Sequence, residues 1–137
     1  MIGITETRVS LVNSPKIYQK LMRGWQCKSN YDQHSNGRIW LLWDPNILDV
    51  RLVFSTSQVR HVVINVVQKQ FSFHASFVYG LNTSQERKEL WRSINRLSSI
   101  VDDSPWLLLG DFNVVCRPEE RSGGDTSWPS YMEDLLL

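Results

Sequence analysis

Asp111 and Asn113 stand two residues apart in the stretch Pro105-Trp-Leu-Leu-Leu-Gly-Asp-Phe-Asn113. The continuous apolar run Trp106–Leu109 reads as a strand buried on both faces. Side chains alternate along an extended backbone, so Asp111 and Asn113 are predicted to point to one side and Phe112 to the other. A carboxylate and a carboxamide then emerge together where a buried strand reaches the surface, and Gly110 leaves room for a ligand or another backbone. A strand end held by the core behind it suits a site. The same two residues also suit an Asx-turn that closes a strand. The stretch by itself leaves both readings open.

Three further groups have suitable chemistry. Glu6 ends the short apolar stretch Ile2–Glu6. Hard divalent ions take oxygen ligands, often one or two protein carboxylates completed by water and phosphate oxygens, so one Glu is enough for such a site, although a lone carboxylate at a strand end is more often simply solvated. Tyr79 closes an aromatic strand just before Gly80-Leu81-Asn82 and reads either as a site group or as a core aromatic. His34, His61 and His74 form no serine-hydrolase, zinc or His-Cys arrangement and read as structural. Cys27 and Cys116 lack a CxxC or CxxH partner, which argues against zinc and for reduced thiols. There is no Gly-rich phosphate loop ahead of a helix and no nucleophile elbow.

The elements that must position these groups follow from pattern. With 137 residues, 42% of them hydrophobic and six of them Trp, the chain has room for one domain with a sizeable core. A net charge of +1 carries no global signature of nucleic-acid binding, though it leaves DNA open as a substrate. No secretory signal and no bilayer-length apolar run is present, so a nuclear or cytoplasmic protein without membrane contact is expected. Ser14-Pro15 predicts a helix start with Ser14 as N-cap, and Ile17, Leu21 and Met22 its apolar face. Strands are predicted over Trp25–Lys28, Arg38–Trp43, Val50–Ser55, Val59–Val67 and Phe71–Tyr79, with an Asn36-Gly37 hairpin signal between the first two and an antiparallel meander at the end. Along the last strand, Phe71, Phe73, Ala75, Phe77 and Tyr79 share one face, and Ser72, His74 and Ser76 the other. Thr83-Ser84-Gln85-Glu86 is a capping box. It opens a helix with Leu90, Trp91, Ile94, Leu97 and Val101 on one stripe and Arg87, Lys88, Glu89, Arg92 and Arg96 mostly elsewhere. A surface loop over Pro118–Ser127 and a helix starting at Trp128 are expected beyond.

In their order, Thr5-Glu6-Thr7, Val78-Tyr79-Gly80-Leu81-Asn82 and Leu109-Gly110-Asp111-Phe112-Asn113 resemble the endonuclease/exonuclease/phosphatase superfamily. The chain is most similar to the endonuclease part of plant LINE-type (non-LTR) retrotransposons, a match supported by Ser35–Trp40, Glu86–Trp91 and the run from Pro118 to Gly124. The resemblance implies a mixed α/β fold, a four-layer αββα sandwich of the deoxyribonuclease I-like type, and Mg²⁺-dependent (or Mn²⁺-dependent) phosphodiester cleavage. It implies Glu6 as the metal ligand, Tyr79 beside the scissile phosphate and Asn82 as a nearby contact. Asp111 would orient and deprotonate the attacking water, and Asn113 would help bind the metal-held phosphate. DNA would be the ancestral substrate and a reverse transcriptase the continuation of the original chain. The family also has an Asn on a strand before its Glu and a late Ser-Asp-His segment, and neither occurs in this sequence. Residues 1–137 are thus expected to form a partial domain with an incomplete sandwich, inactive or nearly so. A phosphomonoesterase of the same superfamily and a non-catalytic interaction module are the alternatives.

Overall fold

The computed structural model describes residues 1–115, 120, 122 and 123. Its elements are β1 (Ile2–Thr5), α1 (Ser14–Leu21), β2 (Gln26–Ser29), β3 (Ile39–Trp43), β4 (Leu48–Ser55), β5 (Val59–Val66), β6 (Phe71–Tyr79), α2 (Ser84–Val101) and β7 (Trp106–Asp111). They form two sheets, β1-β3-β2 and β4-β5-β6-β7. Every pairing is antiparallel except β6 with β7, which α2 joins as a crossover. Among the described residues no helix is long and apolar enough to cross a membrane.

The sheets stack face to face. Ile39, Leu41 and Trp43 of β3 meet Val62 and Ile64 of β5 and Ala75, Phe77 and Tyr79 of β6 in one buried cluster. The aromatic face predicted for the last strand is this one. Gly3 decides how closely β1 approaches: a Cβ there would lie 2.4 Å from the Phe77 ring. On the outer face of the first sheet, Tyr18 of α1 meets Trp40 edge-on, with ring centroids 6.3 Å apart. On the far face of the second sheet, Val59 and Val78 pack against Leu90 and Leu97 of α2, joined by Trp91, Ile94, Trp106 and Phe112. A bulge between Leu52 and Phe54 breaks the alternation of β4 and turns Phe54 to this α2 side. The layers run α1, sheet, sheet, α2, which is the αββα order expected.

Several local expectations need correction. β7 is not buried on both faces: it stands at the end of its sheet among the described residues, and Leu107 and Leu108 are exposed. The N-cap of α1 is Asn13, and Ser14 lies inside the helix with its hydroxyl donating to the Leu11 carbonyl at 2.9 Å. Ile17 and Leu21 are exposed. The row Ser14, Tyr18, Met22 faces the sheet instead, because Tyr18 is the side chain that lies against Trp40. The turn chemistry of Asn30–Gly37 does join an antiparallel hairpin, with β2 and β3 linked by loop 30–38. The capping box is present as predicted, Thr83 Oγ1 accepting from the Glu86 amide. Arg87, expected off the apolar stripe, is only 1% exposed. Most of the Pro118–Ser127 loop, the helix from Trp128 and Cys116 lie outside the described residues.

The polar face of β6 runs from exposed Ser72 through half-buried His74 to fully buried Ser76. Trp106 Nε1 donates to Ser76 Oγ at 2.9 Å, Ser76 Oγ lies 2.7 Å from His61 Nδ1, and His61 Nε2 lies 2.9 Å from His74 Nδ1. The Trp106 indole N–H fixes one donor, and Ser76, His61 and His74 continue the chain with one shared proton per contact, its direction set by the His61 tautomer. Both histidines are therefore structural, as the sequence reading held.

Two outcomes are expected. Trp91 stacks on Phe112 with parallel rings 6.0 Å apart, so Trp91→Ala should lower unfolding free energy by roughly 3 kcal/mol in urea titration. Burial, with His74 adding to it, depresses His61 from 6.5 to about 4. The unfolded chain takes up this proton first, so the contribution of neutral His61 is complete above pH 6.5 and is lost as pH falls through 4. Between pH 7 and 4.5 the loss should be about 2–3 kcal/mol, and His61→Gln should flatten that part of the profile by the same amount.

Candidate active site

At the C-terminal ends of the parallel pair, Tyr79 and Asp111 are direct neighbours in the ladder. Two glycines permit this. A Cβ on Gly110, whose φ is +140°, would fall 2.0 Å from the Val78 carbonyl oxygen, and one on Gly80 would fall 2.3 Å from the Phe112 carbonyl oxygen. The Gly80 amide donates to the Asp111 carbonyl at 2.7 Å, and Asn113 Nδ2 donates to the Gly80 carbonyl at 2.5 Å. Phe112 points into the α2 layer and Asp111 does not, as alternation requires. Asn113 departs from the extended reading: it lies beyond the strand with φ +52°, and its amide donates to Asp111 Oδ1 at 2.9 Å. The Asx-turn is real, and it holds the exposed Asp111 carboxylate in place.

Glu6 reaches the same end of the molecule from the other sheet. Glu6, Arg8, Asn36, Arg38, Tyr79 and Asn82 line one cavity of about 320 Å³. Glu6 Oε1 accepts from both Nε and an Nη of Arg8, the former at 3.1 Å. Arg8 foremost, and then the Tyr79 hydroxyl and the Arg38 charge, hold the Glu6 carboxyl below the usual carboxylate range. The Arg38 guanidinium lies over the Tyr79 ring, 5.4 Å from its centroid. Two guanidinium groups against one carboxylate make the cavity suited to an anion.

The structure thus brings Glu6, Tyr79 and Asn82 onto one cavity. Asp111 stands beside Tyr79 at the end of the next strand, with Asn113 in the turn just after it, and neither lines that cavity. None of the three histidines lines it. Cys27 lies on β2 with its thiol pushed up to about 11 by burial, which removes it as a nucleophile.

Sequence reasoning missed Arg8, Asn36 and Arg38 as wall residues, and it missed the side chains that hold the walls. Thr7 Oγ1 donates to the Gly37 carbonyl at 3.0 Å, and the Tyr31 hydroxyl to the Val9 carbonyl at 2.8 Å. Asn30 is fully buried; its Oδ1 accepts from the Ile39 amide at 2.9 Å and its Nδ2 donates to the carbonyls of Thr56 and Ser57, each at 3.3 Å. Gln58 Oε1 accepts from the Leu81 amide at 2.8 Å while its Nε2 donates to the Glu86 carbonyl at 3.0 Å. Arg87 donates to the carbonyls of Leu81 and Asn82 at 2.9 and 2.7 Å. Arg87 lies one turn before Leu90 and Trp91, and that spacing is the sequence signal that could have placed it on the buried stripe.

A hard divalent cation fits this donor set in part. Both Arg8 bonds fall on Glu6 Oε1, so Oε2 is the oxygen such an ion would take, and Mg²⁺ commonly needs only one or two protein carboxylates. Among the described residues no group of three or more His, Cys, Asp or Glu side chains is placed to hold a metal. The remaining ligands would be water and substrate oxygens.

No family model matches the sequence, and no curated protein matches it. Solved structures do. The chain is similar to the endonuclease domain of TRAS1, a telomere-specific non-LTR retrotransposon, with a TM-score of 0.63 and 13% identity over 99% of this chain and 68% of that one. It is also similar to the human Nocturnin catalytic domain solved with bound sulfate, with a TM-score of 0.52 and 16% identity over 83% of this chain. It spans about half of that domain, 51%. With two stacked sheets between two helices, the chain takes the αββα fold of the deoxyribonuclease I-like class.

Proposed function

We propose that this chain carries a divalent-metal-dependent phosphodiesterase site whose substrate is DNA, of the endonuclease/exonuclease/phosphatase superfamily and of the kind that precedes a reverse transcriptase in LINE-type retrotransposons. The observation that carries the reading is the convergence of Glu6, Tyr79 and Asn82, from three separated stretches, on one cavity with a guanidinium excess beside Asp111.

The roles follow from what each group is free to do. Glu6, kept ionised by Arg8, offers an anionic oxygen to Mg²⁺ or Mn²⁺. A cation bound there neutralises charge on the phosphate. The Tyr79 hydroxyl and the Asn82 amide are neutral donors to phosphate oxygens, which leaves net charge for the metal and the arginines to balance. Asp111 is exposed and positioned by the Asn113 amide, so its carboxylate can take the proton of an attacking water. Asn113, fixed by its Nδ2 bond to Gly80, stands beside Asp111 as a neutral contact to the metal-held phosphate.

No histidine lines the cavity, and loss of one transition-state donor costs about a hundred- to a thousand-fold in rate. Nicking by this chain should therefore be slow. In a supercoiled-plasmid assay, weak nicking that requires Mg²⁺ or Mn²⁺ is expected, and Glu6→Gln and Asp111→Asn should each remove it. Nicking that persists in both variants refutes the assignment. Independently of turnover, Mn²⁺ binding followed by electron paramagnetic resonance should weaken about tenfold or more in Glu6→Gln and little in Asp111→Asn. Hydrolysis of p-nitrophenyl phosphate in place of nicking would move the reading to a phosphomonoester substrate.

A further inference from the structure

Arg38 enters the cavity from the loop ahead of β3, between two pinned residues. Gly37 before it has φ +49°, and a Cβ there would lie 2.2 Å from the Tyr31 ring. The Gly37 carbonyl is held by Thr7, and the Ile39 amide after it by the buried Asn30. The guanidinium is covered on one face by Tyr79. Its N–H groups make no hydrogen bond or ion pair with any described residue, whereas Arg8 across the same cavity is spent on Glu6. Stacking on a ring engages the face of a guanidinium and leaves the planar fork of donors at its edge, which matches two oxygens of a phosphate.

We infer that Arg38 grips the non-bridging oxygens of a backbone phosphate of a DNA strand laid across the Glu6–Tyr79–Asn82 cavity, a binding contact that rests on the phosphodiesterase reading of the site. A half-buried arginine that only packed on an aromatic would not need the backbone on both sides fixed. Here the loop is pinned at Gly37 and Ile39, so the fork is presented with little ordering left to lose on binding. The contact is made in the ground state and needs no metal. Arg38 is thus separable from Glu6: one sets the hold on the strand, the other the metal.

The test is equilibrium binding of a fluorescein-labelled duplex of about one to two helical turns, read by anisotropy in EDTA across a salt series. One lost phosphate contact removes about 0.9 from the slope of log K against log salt. Arg38→Gln should therefore lower the slope by about that much and weaken binding roughly tenfold or more at the lowest salt, with an unchanged melting temperature. Arg38→Lys, which keeps the charge and loses the fork, should keep the slope and bind between the two. An unchanged slope and affinity in Arg38→Gln, with nicking by the parent chain still dependent on Glu6, overturns the inference and leaves the proposed function standing. A parent chain that binds no duplex even at low salt overturns both.

Discussion

Everything at the site depends on how closely the ends of β6 and β7 approach. A parallel pair normally diverges where its strands stop, because each chain must turn toward its next element. Here the ladder continues to Tyr79 and Asp111, and the Gly80 amide adds one more bond past it. That is possible only with no side chain at Gly110 or Gly80, whose Cβ positions would fall well within van der Waals contact distance of backbone oxygens. No rotamer change relieves a clash with backbone. The two glycines are therefore geometric requirements, and the aromatic and acidic side chains between them are consequences of where the strands are forced to end.

The walls of the cavity come from loops, and loops bury too little apolar surface to hold themselves. Buried polar side chains do that work here. Asn30 ties loop 30–38 to the β4–β5 turn, Gln58 ties that turn to Leu81 and the first turn of α2, and Arg87 closes the same segment from the helix side. Each is nearly inaccessible to water, so removing one leaves backbone groups without partners in a low dielectric. Three loops distant in sequence are thereby one rigid rim.

What the sequence made legible, and what it hid, divides along the same line. Strand alternation placed Phe73, Ala75, Phe77 and Tyr79 on one face and Phe112 opposite Asp111, because period and burial are local properties. The capping box at Thr83 was legible for the same reason. Tyr18 as the packing residue of α1 was hidden, since its edge-on contact with Trp40 exists only once the sheet is formed. The bulge that turns Phe54 over has no local signature, and neither does the long-range hydrogen bonding of Asn30 and Gln58. Glu6, Tyr79 and Asn82 were singled out from their motifs. Their meeting in one cavity depends on which strands lie on which sheet, and residue spacing does not carry that.

Backbone strain shows how the rim and the carboxylate are coupled. Glu6, Arg8 and Asn113 all have positive φ, a conformation that costs a non-glycine residue about 1–2 kcal/mol, and all three belong to the site or its wall. Asn113 is compensated locally by its Asx-turn. Glu6 and Arg8 share an ion pair that is exposed and so weak in water, and the Tyr79 hydroxyl and the Arg38 charge add to the hold on Glu6. The backbone around them is held further by Thr7 between them, bonded to Gly37, and by Val9 just after, bonded to Tyr31. Both partners lie on the loop that carries Arg38. The position of the carboxylate is thus tied to the same loop that presents the Arg38 guanidinium, so an anion that settles on Arg38 acts on a structure that already holds the opposite charge.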